Sequence, residues 1–163
     1  MTREPIIAEP VKSEYGVGGW LLFLCVIMVI ISPIRSAYSL VTAYVEVLSL
    51  MKDFPGLIFV TIVDTIFSVA LVGFGIYAGL ALWRIRPGAV RTAKAYFIFF
   101  LIYSIFASFL PFFAGLPEAS NEYLLAEMPK TILGGLIYFC IWFAYLSVSK
   151  RVKATYPEAR EGF

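Results

Sequence analysis

Three charged residues interrupt or border long apolar runs, and they mark where this sequence could do chemistry: Arg35, Asp64 and Lys130. A membrane-crossing helix takes ~20 residues over a hydrocarbon layer ~30 Å thick. Counting that far from inner boundaries at Val17, Arg84 and Lys150 reaches Arg35, Asp64 and Lys130, all at the outer edge of the layer. The same count from Lys94 reaches no charge; Pro111 falls near that level. Thr61 and Ser68 share a helical face with Asp64, and Ser108 is a further hydroxyl nearby in depth. Three readings stay open. Asp64 pairs with Arg35 or Lys130 in a structural polar cluster. Asp64 couples protons, since an ionisable group in a membrane helix is a functional candidate by default. Or the charges rest among headgroups, where they cost little.

A second set is basic: Arg84, Arg86, Arg91, Lys94, Lys150, Arg151 and Lys153. These are candidate contacts for anionic lipid headgroups, each adding ~1 kcal/mol near an acidic leaflet. Topology alone also accounts for them. Much other chemistry is missing from the sequence. There is no histidine, which removes Ser-His and Cys-His pairs and histidine-ligated metals. No metal-ligand set, cofactor motif, glycine-rich phosphate loop or paired-carboxylate spacing is present, so the expectation is a protein that is not an enzyme. Cys25 and Cys140 both fall in apolar runs, as buried thiols acting as small apolar side chains. The net charge of +2 is too small to argue for nucleic acid.

The elements that must position these groups are legible. The 163 residues have room for one domain, and 61% are hydrophobic against 15% charged, far oilier than soluble domains. Thr65 to Trp83 is 19 residues without a charge, about 28 Å of helix. Thr131 to Ser149 is another such run. The spans predicted are 17–34, 57–83, 95–113 and 131–149, within a domain 16–156 between tails 1–15 and 157–163. Pro33 is expected to bend the first helix. Arg84 to Lys94 reads as a tight turn and Leu116 to Pro129 as a polar loop. Gly75 and Gly79 lie one turn apart, a spacing that lets helices approach closely in lipid.

After Pro33 the segment 34–54 is amphipathic. Arg35, Ser36, Ser39, Thr42, Glu46, Ser49 and Asp53 share one face, and Tyr38, Val41, Tyr44, Val45, Leu48 and Met51 the other. It either extends the first span or lies on the outer interface. In both cases its apolar face could meet a partner. With both ends inside, ten basic residues are cytoplasmic (Arg3, Lys12, Arg160 and the seven above) and three, Arg35, Lys52 and Lys130, lie outside. Cytoplasmic loops carry such an excess of Lys and Arg.

Two motifs resemble a bacterial membrane-protein family known only as domain of unknown function DUF2569. One is Gly16-Val17-Gly18-Gly19-Trp20-Leu21-Leu22, with Ser32-Pro33 closing the span. The other is Ile141-Trp142-Phe143-Ala144-Tyr145-Leu146, running into Ser149-Lys150-Arg151-Val152-Lys153-Ala154-Thr155-Tyr156. The family pattern tends to have Pro at the Ala144 position and Phe near Tyr156. The resemblance implies a four-helix bacterial inner-membrane protein and brings no activity with it.

The expected architecture is therefore all-α: an integral membrane four-helix bundle with an amphipathic extension after the first span. The expected role is a non-enzymatic binding, scaffold or accessory protein, partnered by membrane lipids and by another membrane or extracytoplasmic protein or a second copy of itself. The alternative is a small oligomeric transporter or channel for cations or small solutes that depends on Asp64.

Overall fold

The computed structural model describes residues 16–50, 52–115 and 117–156. Both predicted tails and Met51 lie outside them. Four helices are long and apolar enough to cross a membrane: Trp20–Leu48, Gly56–Trp83, Ala89–Ala114 and Leu124–Val148. No strand occurs among the described residues.

The first span is continuous through Pro33. It runs as α1 (Trp20–Val26), a π-helical stretch (Ile27–Ile31) and α2 (Ser32–Leu50). Proline lacks an N–H and crowds the carbonyl four residues before it, here that of Val29. The chain absorbs this by widening one turn, so that the Ser32 N–H bonds Ile27 O, a device common as a π-bulge inside α-helices. The helix thus continues past Pro33 through a local widening, and the amphipathic segment is a direct extension of the first span.

Phe54-Pro55 turns the chain, with Leu57 N–H donating to Phe54 O at 3.1 Å. The second span is α3 (Gly56–Trp83). It ends in a Schellman arrangement: Ile85 N–H donates to Leu82 O and Arg86 N–H to Ala81 O. Ile85 holds the left-handed position at φ 49°, where glycine is usual. Gly88, at φ 75°, then starts α4 (Ala89–Phe109). The basic turn is therefore Arg84–Gly88; Arg91 and Lys94 already lie on the third helix, because Ala89, Val90 and Ala93 are drawn into the core.

A 3₁₀ turn (Leu110–Ala114) takes up Pro111, and α5 (Glu118–Val148) follows. The expected loop before Pro129 is helical. Leu124 to Met128 are good helix formers, and Pro129 is tolerated inside the helix. Finally α6 (Lys150–Thr155) is capped by the Ser149 side chain, which accepts from Val152 N–H.

Packing is uneven along the helices. One buried cluster lies at the end where Gly16 and Tyr156 meet, the base of the bundle. It joins Leu24, Met28, Ala78, Leu82, Phe97 and Leu146 among others. Glycine makes the close approach possible: a Cβ on Gly79 would stand 2.7 Å from Val29 Cγ2 and 2.9 Å from Met28 Cβ, and one on Gly75 would stand 2.9 Å from the Tyr96 ring. A second, small cluster of Leu57, Val60, Leu110 and Ala114 sits at the far end. Cys25 is buried in the base, but Cys140 faces outward, since an apolar solvent removes any need to bury it.

The two sequence motifs at the chain's ends lock together at the base. Thr155 Oγ1 accepts from Gly16 N–H at 3.1 Å, and the buried Tyr156 phenol donates to Leu82 O. The Arg151 guanidinium lies over Gly18 and Gly19; a Cβ on Gly18 would come within 2.7 Å of its Nη1. The glycine-rich opening is thus a bed for the C-terminal helix.

Candidate functional site

Between the two packed clusters all four spans part around a cavity of about 660 Å³. The first span contributes Ser32, Arg35, Ser36 and Ser39 to its wall, and the second Ser68. Tyr96, Tyr103 and Ser104 come from the third span, and Lys130, Thr131 and Tyr138 from the fourth. Ile27, Met28, Leu71 and Phe100 give it an apolar floor. The wall is polar because the amphipathic first helix points its polar face inward. Its apolar face points out, with Tyr38 72%, Val41 63% and Val45 63% exposed. That inverted arrangement suits a helix solvated by lipid. Charged groups in membrane helices face bundle interiors or cavities for the same reason.

The predicted polar residues separate. Arg35, Lys130 and Ser68 line the cavity together. Asp64 pairs with neither cation. Its carboxyl oxygen accepts from the Tyr103 phenol at 2.6 Å, and the same phenol meets the Ser68 hydroxyl at 2.7 Å. Asp64 therefore stands one hydrogen bond behind the wall. Lys130 is held by Glu127, one turn earlier on its own helix, at 2.6 Å. Thr61 takes no part: it donates to Leu57 O within its own helix at 2.8 Å, as Ser108 does to Ser104 O. A hydroxyl can meet its need this way in any helix.

Arg35, Ser32 and Tyr138 share the cavity wall. No described residue forms an ion pair with the Arg35 guanidinium. The Tyr138 ring in turn packs at an angle against Phe100 at 5.2 Å and edge-on against Phe97 at 5.7 Å. This aromatic seam joins the third and fourth spans and fixes the cavity's inner edge.

Sequence reasoning missed Tyr103, Tyr138, Ser104 and the Gly134-Gly135 pair. Counted from Lys94, Tyr103 stands well short of the Asp64 level; the third helix begins earlier, at Ala89, and that shift in register brings the Tyr103 phenol to Asp64.

At the base, Arg84, Arg86, Arg91, Lys150 and Lys153 are exposed, while Lys94 and Arg151 are half-buried. Lys94 Nζ sits 5.4 Å from the centroid of the Phe143 ring, a cation–π contact. The basic residues thus gather at one end, but two of them are also packed into the bundle.

Four apolar spans around a polar interior define a multi-pass, all-α membrane protein. The comparison with known families makes this specific. Residues 14–157 match the family described as protein of unknown function (DUF2569), and the chain belongs to it. No curated protein and no solved structure matches the chain.

Proposed function

We propose that the protein is a non-enzymatic binding protein of the bacterial inner membrane, with both termini cytoplasmic, that holds a ligand within its four spans. The cavity is the observation that carries this. Its volume of about 660 Å³ falls in the range of small-molecule sites, ~300–1,000 Å³, and its polar wall over an apolar floor suits a ligand with both a polar and an apolar part. The excess of basic residues at the base supports the orientation.

Gly134 supplies the test. It lines the cavity, and a Cβ there would meet nothing within 4 Å. Gly134→Phe should therefore fill the space without a clash at its first carbon, and leaving glycine favours the helix by a few tenths of a kcal/mol, roughly 0.5. Native mass spectrometry after mild extraction should find a retained non-protein mass on the wild type that the variant lacks. Equal masses on both would overturn the binding role. Reporters fused to both ends should be active only inside; opposite sides would overturn the orientation.

A second reading, a small oligomeric transporter, draws on the Ser68–Tyr103–Asp64 chain, which runs from the cavity wall to a carboxyl. The cationic wall argues against cations as its cargo and favours anionic or neutral solutes. Liposome flux that disappears with Asp64→Asn would support it over simple binding.

A further inference from the structure

We infer that the cavity takes an amphiphile with an anionic head, a phosphate or carboxylate, whose apolar chain passes out to the bilayer between the first and fourth spans. This rests on the binding role proposed above and adds the chemical class of the ligand and its route.

The charge of the wall sets the head. Arg35 and Lys130 line the cavity, and no carboxylate does. Two acids are bonded to residues of the wall. Asp64 stands behind the Tyr103 phenol, and Glu127 is bonded to Lys130. Arg35 is the cation with no acidic partner among the described residues. A guanidinium binds phosphate or carboxylate through paired N–H donors. Arginines on membrane helices pair with anionic or carbonyl partners, a need that an anionic ligand meets. Ser36, Ser39, Ser104 and Thr131 on the same wall offer hydroxyl donors suited to the remaining anion oxygens.

The route follows from which helices touch. The second, third and fourth spans pack in sequence, and the first packs on the second. The first and fourth are not packed side by side. They meet at the base, where Phe23 and Trp142 rings lie 6.1 Å apart. Beyond that level the cavity lies between them. Its rim residues Ile31, Thr131 and Gly134 are exposed on the lateral surface, where lipid tails would run. Arg35 stands on one side of this seam and Lys130 on the other. The apolar floor of Met28, Leu71 and Phe100 receives the part of the chain nearest the head.

The test uses the full chain in vesicles containing a trace of phosphatidylglycerol or phosphatidylcholine, each with a photoreactive diazirine on the acyl chain, and a photoreactive fatty acid as the carboxylate arm. Labelled peptides are mapped by mass spectrometry. Labelling of the peptides around Leu71 and Phe100 should favour an anionic probe over phosphatidylcholine by at least about tenfold. Arg35→Gln should bring that preference to parity, Arg35→Lys should keep part of it, and excess inorganic phosphate should not displace the probe. Parity in the wild type, an unchanged preference in Arg35→Gln, or displacement by phosphate alone would each overturn the inference. Gly134→Phe separates the two claims. If no lipid probe labels the cavity but the wild type still carries a mass that Gly134→Phe lacks, the amphiphile is wrong and binding stands. If Gly134→Phe is labelled like the wild type, binding in the cavity is itself wrong.

Discussion

Removing the Tyr103 hydroxyl probes how the bundle accommodates a carboxyl inside its second span. Tyr103→Phe keeps the ring, which stacks on Phe67 at 6.2 Å, and deletes only the oxygen. Two interactions go with it: the bond to Asp64 at 2.6 Å and the contact with Ser68 at 2.7 Å. In water-soluble proteins, hydrogen bonds to charged groups are worth ~1.5–3 kcal/mol. Across membrane helices double-mutant cycles average ~0.6 kcal/mol and reach ~1.7, because the separated helices also find partners. Asp64 is half-buried, so the loss should lie toward the upper part of the membrane range, about 1–1.5 kcal/mol. Ser68 can turn to a carbonyl of its own helix and should add little. The assay is a double-mutant cycle of Tyr103→Phe with Asp64→Ala, read as unfolding free energy in mixed micelles. A coupling of about 1 kcal/mol is expected for residues in direct contact. A coupling within ~0.3 kcal/mol of zero, the usual error for independent sites, would falsify the pairing.

Other perturbations test the packing and the base. Gly79→Leu drives a side chain into Val29 and Met28; overpacking of this kind costs ~1–3 kcal/mol, measurable as a lowered unfolding midpoint, whereas Gly73→Leu, with nothing within 4 Å of its Cβ, should leave the midpoint nearly unchanged. Ile85→Gly relieves a left-handed β-branched residue and should stabilise by up to ~1 kcal/mol; no gain would mean that the Ile85 side chain itself contributes to the base. Burial holds the Tyr156 phenol above its ordinary value of 10.0, with Cys25 and Tyr145 adding to the effect. The folded state thus favours the neutral phenol, so its stability contribution is complete below pH ~10 and is lost as pH rises through the folded value. Wild type should lose more stability than Tyr156→Phe on titration above that pH; parallel curves would place the phenol in water.

Sequence alone determined the crossings. A run of 19 uncharged residues such as Thr65 to Trp83 must bond its own backbone in lipid, which only a helix does within one segment. Composition and length therefore sufficed to find the four spans. They did not suffice at the joins. Pro33 and Pro129 read as breaks, yet a π turn absorbs the first and the second lies within a helix. A proline's cost is local, while continuity is decided by everything packed along the helix. Likewise, nothing in the two end motifs announces that Gly18 is a bed for Arg151, because that contact joins residues more than 130 positions apart.

The candidate site divides in the same way. Arg35, Ser68 and Lys130 were legible because charge and hydroxyls in apolar runs are rare and can be placed by depth. Which of them meet was not legible. Depth is one coordinate, and pairing also needs the rotation of each helix about its axis. That rotation is set by side chains interlocking between helices: Gly79 against Val29, Tyr138 against Phe100. It turned Asp64 toward Tyr103 and left Arg35 facing a cavity. The sequence determined that charges lie within the membrane domain; only the tertiary structure decided which of them face each other and which face open space.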